Sequence, residues 1–277
     1  MVKLRQNLDI ASRKLAGLPS ARLEAEILMA YTLQSPRSFL YANPELDLPG
    51  QRVDQFKKLV QRRMRGEPIA YITGKREFWS LPLRVTPDVL IPRHETELLV
   101  EAALERIPKA DRLRIADLGT GSGAIALAIA SERPACDIHA TDVSEAAIAL
   151  AKENAKCLGL STVSFHLGSW CNPLSGSFNV IISNPPYIAA NDPHLKQGDC
   201  RFEPRDALCP GSDALGAFRV IAEQSVHRLG AGGWLMLEHG TDQGPDIREI
   251  LVQHGYADIE TIRDLSGHER VTLGSMQ

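Results

Sequence analysis

Apolar side chains recur at helical spacing through residues 1–72, and at strand spacing from about residue 73 onward. Leu4, Leu8, Ala11, Leu15 and Leu18 fall alternately four and three positions apart, the stripe that one helix turns towards a core. Gly17 and Pro19 punctuate it. In ARLEAEILMAYTL, Leu23, Ile27, Leu28 and Tyr31 share a second such face. Pro44, Pro49 and Gly50 mark a loop, and Val53, Phe56, Val60 and Met64 predict a further helix ended by Gly66 and Pro68. Three or four amphipathic helices with short connections make a small bundle over residues 1–72.

Residues 73–92 change character: EFWSLPLRVTPDVLIP is rich in β-formers and broken by Pro82, Pro87 and Pro92, which predicts a hairpin or extended linker at a domain junction. Over 93–277 helix and strand patterns alternate. ETELLVEAALERI is helical, and LRIADL (113–118), DIHATD (137–142), TVSFHL (162–167), FNVIIS (178–183) and GWLMLEH (233–239) are strands. Between them lie a helix after Gly123, SEAAIALAKENAKCLGL with Ser144 as N-cap, and DALGAFRVIAEQSVHRL. A helix over about 243–254 precedes two last strands, YADIETIRD and ERVTLGS. The predicted class is α/β, a mostly parallel, doubly wound Rossmann-like sheet behind the helical domain and its hairpin.

Composition narrows the setting. Of 277 residues, 44% are apolar and 23% charged, ordinary for a soluble protein that needs no staples. No apolar run is long enough for a membrane span, and MVKLRQNLDI lacks a signal-peptide core, so the expectation is a cytoplasmic protein with no membrane partner. Cys136, Cys157, Cys171, Cys200 and Cys209 are odd in number and form no C-x-x-C pair, which fits free thiols in a reducing compartment. No histidine or cysteine spacing suggests a metal. Net charge is −3, yet residues 1–72 carry 12 Lys and Arg against 7 Asp and Glu, leaving 19 against 27 in the remainder. Lys57, Lys58, Arg62, Arg63 and Arg65 form the densest basic group, either a solvated helix face or a contact for an acidic macromolecule. Without interleaved aromatics it predicts no stable nucleic-acid binding.

The chemistry concentrates at two strand ends. DLGTGSGA places Gly119, Gly121 and Gly123, with Thr120 and Ser122 between them, where the first strand of the alternating region meets its helix. Read literally this is also a dinucleotide fingerprint, so the loop alone leaves NAD and S-adenosylmethionine open. Asp142, ending the next strand, is placed to accept hydrogen bonds from ribose hydroxyls of either. Asp117 favours the second: a carboxylate beside a sulfonium is attractive, beside a pyrophosphate repulsive.

The other end is ISNPPYIAA, where a strand stops at Asn184 and two prolines. Neither proline can donate to a ladder, and Asn184 is pushed towards extended backbone, so a stiff polar tip results. A delocalised amide or aromatic amine is a poor nucleophile. The Asn184 side-chain oxygen and the Pro185 carbonyl can each accept one of its N–H bonds and pin it. Pro186 adds rigidity and Tyr187 a flat face for a planar group. The pairing of DLGTGSG with a fourth-strand NPPY resembles the class I S-adenosylmethionine-dependent methyltransferases that act on such nitrogens.

GEPIAYITGKREFW, LIPRHETE, DLGTGSGAIALA, SNPPYI, RFEPRDAL and LEHG, in this order, resemble the peptide chain release factor glutamine-N5 methyltransferases, the PrmC/HemK family, from about Arg22 to ERVTLG. The resemblance implies transfer of a methyl group from S-adenosylmethionine, leaving S-adenosylhomocysteine, to the glutamine amide in the Gly-Gly-Gln loop of bacterial class I release factors. It also implies that Asp117, Gly119, Thr120, Gly121, Ser122, Gly123, Asp142, Trp170 and Asn184 serve the cofactor. Trp170 packs near the adenine, unless it is ordinary core. On the same resemblance Asn184, Pro185, Pro186 and Tyr187 would hold the glutamine, with Asn184, Pro185 and Tyr187 as the catalytic group. Arg201, Phe202, Glu203 and Pro204 either shape the substrate mouth or form a structural loop. His94 stands where the family usually has a second proline and reads as an exposed cap. A monomer is expected. The competing readings are an adenine-N6 or rRNA/tRNA amino methyltransferase, a non-catalytic S-adenosylmethionine-binding protein and, more remotely, an NAD oxidoreductase.

Overall fold

The computed structural model describes residues 2–109 and 111–277. The chain divides into two compact units, one ending at Lys75 and the other spanning Arg76–Gln277.

The first unit contains α1 (Leu4–Lys14), α2 (Ala21–Leu33), α3 (Arg37–Ala42), α4 (Gly50–Met64) and α5 (Ile69–Thr73). A short antiparallel pair joins β1 (Val2–Lys3) to β2 (Asp47–Leu48). Leu4, Leu8, Ala11 and Leu15 of the predicted stripe are buried together with Val53, Phe56 and Val60. Of the face expected for α2, only Leu28 is fully buried. Leu23 and Tyr31 are exposed, and Ala25, Leu28, Met29 and Thr32 point inward with Glu26. Glu26 tolerates burial because Arg22 (2.8 Å), Arg37 (3.0 Å) and the Tyr41 hydroxyl (2.6 Å) all donate to it. A helix rich in apolar residues on several sides carries no unique stripe, and this polar cluster decides its rotation. Met64 also ends exposed rather than inward. Of the basic group, Arg63 is largely buried in an ion pair with Glu24, and Arg62 is bound to Glu67; Lys57, Lys58 and Arg65 stay exposed.

A hairpin of β3 (Lys75–Phe78) and β4 (Leu81–Arg84) starts on the last residue of the first unit and otherwise opens the second. Trp79 and Ser80 turn it with φ of 52° and 58°, the left-handed pair that matches strand twist in a two-residue turn. Phe78 and Leu83 sink into the main core, so the hairpin packs as part of this unit. The unit continues through α6 (Glu97–Arg106), β5 (Arg114–Leu118), α7 (Ala124–Glu132), β6 (Asp137–Asp142), α8 (Glu145–Leu158), β7 (Ser164–Leu167), β8 (Phe178–Ser183), α9 (Arg205–Leu208), α10 (Gly216–Val226), β9 (Leu229–Glu238), α11 (Gly244–Gln253), β10 (Ala257–Arg263) and β11 (Glu269–Ser275). Ser144 caps α8 as expected, its hydroxyl accepting from Ala147 N at 3.2 Å.

The seven strands form one sheet in the order β10-β11-β9-β8-β5-β6-β7. The five from β9 to β7 are parallel, and β11 and β10 extend one edge antiparallel. The chain leaves β5 towards β6 and β7, then returns to lay β8 on the other side of β5. This reversal opens a crevice at the carboxyl ends of β5 and β8, the position where doubly wound sheets hold ligands. Strand β9 starts at Leu229, ahead of the predicted segment. The glycines of GAGG admit an irregularity, with pairing passing from Phe178–Leu229 to Val180–Trp234. Helix α10 starts later than predicted because Asp213 turns its own side chain onto Leu215 N (3.0 Å).

Candidate active site

Four strands, β5, β6, β7 and β8, end at the crevice and deliver chain segments to it. Strand β5 delivers the glycine loop. Gly119 N and Thr120 N both donate to Thr141 O at 2.9 Å, which ties the loop to β6. Gly121 N donates to Asp142 Oδ2 (2.9 Å) and Ser144 N to Asp142 Oδ1 (2.9 Å), so backbone groups orient the carboxylate and leave lone pairs on both oxygens. Gly123 holds φ +87° and permits a close approach of α8: a Cβ there would lie 3.1 Å from Leu127 Cδ1 and 3.2 Å from Ala151 Cβ. Gly121, at φ +55°, has open space where its Cβ would be.

Gly119, Gly121, Asp142, Trp170, Asn184 and Pro186 line a cavity of about 420 Å³, together with Val89, Leu90 and Val143. The Trp170 ring closes on the loop, 3.3 Å from where a Gly119 Cβ would stand. Its own backbone is left-handed, φ +48°, a conformation uncommon for a bulky residue. Thr120, Ser122 and Gly123 lie outside the lining; Thr120 and Ser122 are buried within the loop. Asp117, assigned by sequence to the neighbourhood of a sulfonium, is fully buried beneath the loop and off the cavity wall. It accepts from Thr120 Oγ1 (2.6 Å) and Ala126 N (3.2 Å) through Oδ2, while Oδ1 has no partner. Burial pushes its acid up to about 7.

A smaller hollow of about 110 Å³ adjoins the cavity and shares Leu90, Asn184, Pro186 and Ala207 with it. Pro185, Tyr187 and Arg93 belong to this hollow alone. The NPPY tip thus stands as a partition: Asn184 and Pro186 face both spaces. Tyr187 is anchored through its backbone, its carbonyl accepting from Gln243 Nε2 at 3.2 Å. Burial drives its phenol upward, so it remains neutral and serves as a surface.

The Arg201–Pro204 stretch has divided roles. Glu203, its side chain wholly buried, accepts from Ile91 N (3.1 Å) and pairs with Arg93, so it clamps the loop before α6 to the loop before α9. Pro204 lines the larger cavity, and Arg201 is exposed over the Phe202 ring. His94 is exposed and begins a single 3₁₀ turn, His94–Thr96.

Two residues that the sequence reading left without a role sit directly behind Asn184. Asn184 Nδ2 donates to Thr96 Oγ1 at 3.1 Å. Glu238, which ends β9, is 1% exposed, and burial pushes it up to about 7 against hydrogen bonds from Thr96 and Asn184. Both residues lie in stretches already singled out, LIPRHETE and LEHG, but a single carboxylate at a strand end carries no local pattern that distinguishes it.

Comparison with known proteins agrees with this layout. A profile described as the PrmC N-terminal domain matches residues 6–74, and one described as a methyltransferase small domain matches residues 94–199. The chain is 49% identical over 275 residues to the release factor glutamine methyltransferase of Coxiella burnetii, covering 99% of each. It is 48% identical over 265 residues to that of Escherichia coli, covering 95% of each. Among solved structures, a methyltransferase from Pyrococcus furiosus superposes with a TM-score of 0.55 at 19% identity, covering 78% of this chain and 95% of that one; that likeness concerns the fold.

Proposed function

This chain belongs to the release factor glutamine methyltransferase family, and we propose that it methylates the side-chain amide nitrogen, N5, of the glutamine in the Gly-Gly-Gln motif of bacterial peptide chain release factors, with S-adenosylmethionine as methyl donor. The observation that carries the reading is the pair of hollows divided by Asn184 and Pro186, one edged by glycine backbone and a carboxylate, the other by the NPPY tip.

The larger cavity fits the donor. Its wall combines a flat ring, Trp170, with apolar Leu90 and Val143 for an adenine, and an oriented carboxylate, Asp142, for the two ribose hydroxyls. Gly119 and Gly121 would bring backbone against the remainder. Bound there, S-adenosylmethionine supplies an electrophilic methyl carbon on a sulfonium. The smaller hollow takes the glutamine amide. The Asn184 Oδ1 and the Pro185 carbonyl accept its two N–H bonds, and Tyr187 supports its plane. Both acceptors are held before the reaction starts, so charge appearing on the nitrogen meets dipoles already in place.

Residues 1–75 act on the body of the release factor, with exposed Lys57, Lys58 and Arg65 meeting acidic surface. The test of the reaction is incubation of purified protein with labelled donor and a bacterial release factor, followed by mass mapping. A single methyl group on the glutamine of the Gly-Gly-Gln motif is the expected product; label in RNA instead would overturn the assignment.

A further inference from the structure

An asparagine amide has two ends of nearly equal shape and opposite hydrogen-bonding character. Pinning an NH₂ group requires the oxygen end of Asn184, because the nitrogen end would set donor against donor. Nothing within Asn184 itself makes that choice.

The groups behind it do. Asn184 Nδ2 donates to Thr96 Oγ1, and a hydroxyl has one hydrogen, which Thr96 passes on to Glu238; the Asn184 amide also donates to Glu238 directly. An ionised carboxylate only accepts, so the chain Asn184 to Thr96 to Glu238 runs in one direction. We propose that Glu238 is a positioning residue: directly and through Thr96 it holds the amide of Asn184 with Nδ2 inward, which leaves Oδ1 to face the substrate nitrogen. The proposal rests on the methyltransferase reading above and adds to it the groups that orient its acceptor.

Two further observations support it. Glu238 follows Leu235, Met236 and Leu237, all fully buried, in the middle of the sheet. A carboxylate there with Oε2 lacking a partner costs stability, and a role at the adjoining site accounts for its presence. The surroundings of Glu238 also decide its charge. Arg270 of β11 favours the ionised form, as do Thr96 and Asn184, whereas burial and Glu95 of the 3₁₀ turn oppose it; the neutral phenol of Tyr187 lies nearby. Protonated Glu238 would gain a donor, and that donor can satisfy a flipped Asn184 through its oxygen.

The test uses the intact protein with release factor as substrate, under single-turnover conditions. Thr96→Val should lower the rate about 10- to 100-fold, the range of one lost orienting hydrogen bond. Thr96→Ser, which restores the hydroxyl, should recover most of that loss. Made in an Asn184→Ala background, Thr96→Val should add less than about threefold, because the relay acts only through Asn184. A structural role for Thr96 predicts the same loss in both backgrounds, and that result overturns the proposal, as does a Thr96→Val protein as fast as its parent. A second readout does not need the reaction. The side-chain ¹H–¹⁵N signals of Asn184 should titrate near pH 7 in the parent and cease to do so in Glu238→Gln. A titration unchanged by Glu238→Gln also refutes the relay, whereas failure of the parent to methylate the release factor refutes the functional reading alone.

Discussion

Alanine at Gly121 and at Gly123 makes a paired perturbation in which the backbone change is similar and the packing differs. Gly121 sits at φ +55°, close to the left-handed well, and its new Cβ meets nothing within 4 Å. The cost is the left-handed penalty for an L-residue, about 1 kcal/mol. Gly123 sits at φ +87°, where the backbone penalty is about 1–2 kcal/mol. Its Cβ also lands 3.1 Å from Leu127 Cδ1 and 3.2 Å from Ala151 Cβ. Both neighbours are buried, on α7 and α8, and cannot swing away, which adds about 1–3 kcal/mol of overpacking. Gly123→Ala should therefore be about 2 kcal/mol less stable than Gly121→Ala, roughly a 30-fold difference in the unfolding equilibrium. The chain suits the measurement, because its three tryptophans, Trp79, Trp170 and Trp234, all lie in the second unit. Tryptophan fluorescence in a urea titration therefore follows that unit without a signal from residues 1–75. Equal midpoints for the two variants, or a less stable Gly121→Ala, would refute the packing argument.

Asn184→Ala should slow methyl transfer about 100-fold or more, as removal of a preorganised acceptor does, while calorimetric affinity for S-adenosylmethionine changes little. Asp117 gives a pH signature. Its folded acid lies up to about 7, above its unfolded value, so its contribution to stability is complete in acid and is lost as pH rises from about 4 to 7. Asp117→Asn should remove about 1.4 kcal/mol per pH unit of that slope, measured by urea midpoints across the range; an unchanged slope contradicts the burial account. Reversing Lys57, Lys58 and Arg65 to Glu should raise KM for whole release factor and leave turnover on a short Gly-Gly-Gln peptide unchanged; equal kinetics on both substrates would remove the docking role. Arg62 and Arg63 are unsuitable for that test, because their ion pairs with Glu67 and Glu24 make reversal a stability experiment.

The alternation of strand and helix after residue 93 was legible because each strand is short, apolar and ended by a polar or glycine signal; DIHATD and FNVIIS have the predicted limits. The α2 face was not legible. Its rotation depends on Glu26 finding Arg37 and Tyr41, residues 11 and 15 positions away, and periodicity within one helix holds no such information. The same distinction governs the site. Glycines and prolines announce backbone geometry locally, which is why the loop and the NPPY tip could be singled out. Thr96 and Glu238 come together with Asn184 only because the 3₁₀ turn before α6 and the ends of β8 and β9 converge, with 88 positions between the partners of the Asn184–Thr96 bond alone. Asp117 was placed correctly at the strand end, but strand alternation alone did not reveal that its side chain turns beneath the loop.

Trp170 shows what this arrangement exacts from the molecule. Holding a large aromatic residue at φ +48° sacrifices on the order of 1 kcal/mol that a glycine in the same place would spare. Trp170→Gly would relax the main chain and empty the wall against Gly119 in a single step. A protein optimised for endurance alone would have no use for such tension. Under the proposed reading, gains in thermal tolerance sought at this position would come out of ligand affinity.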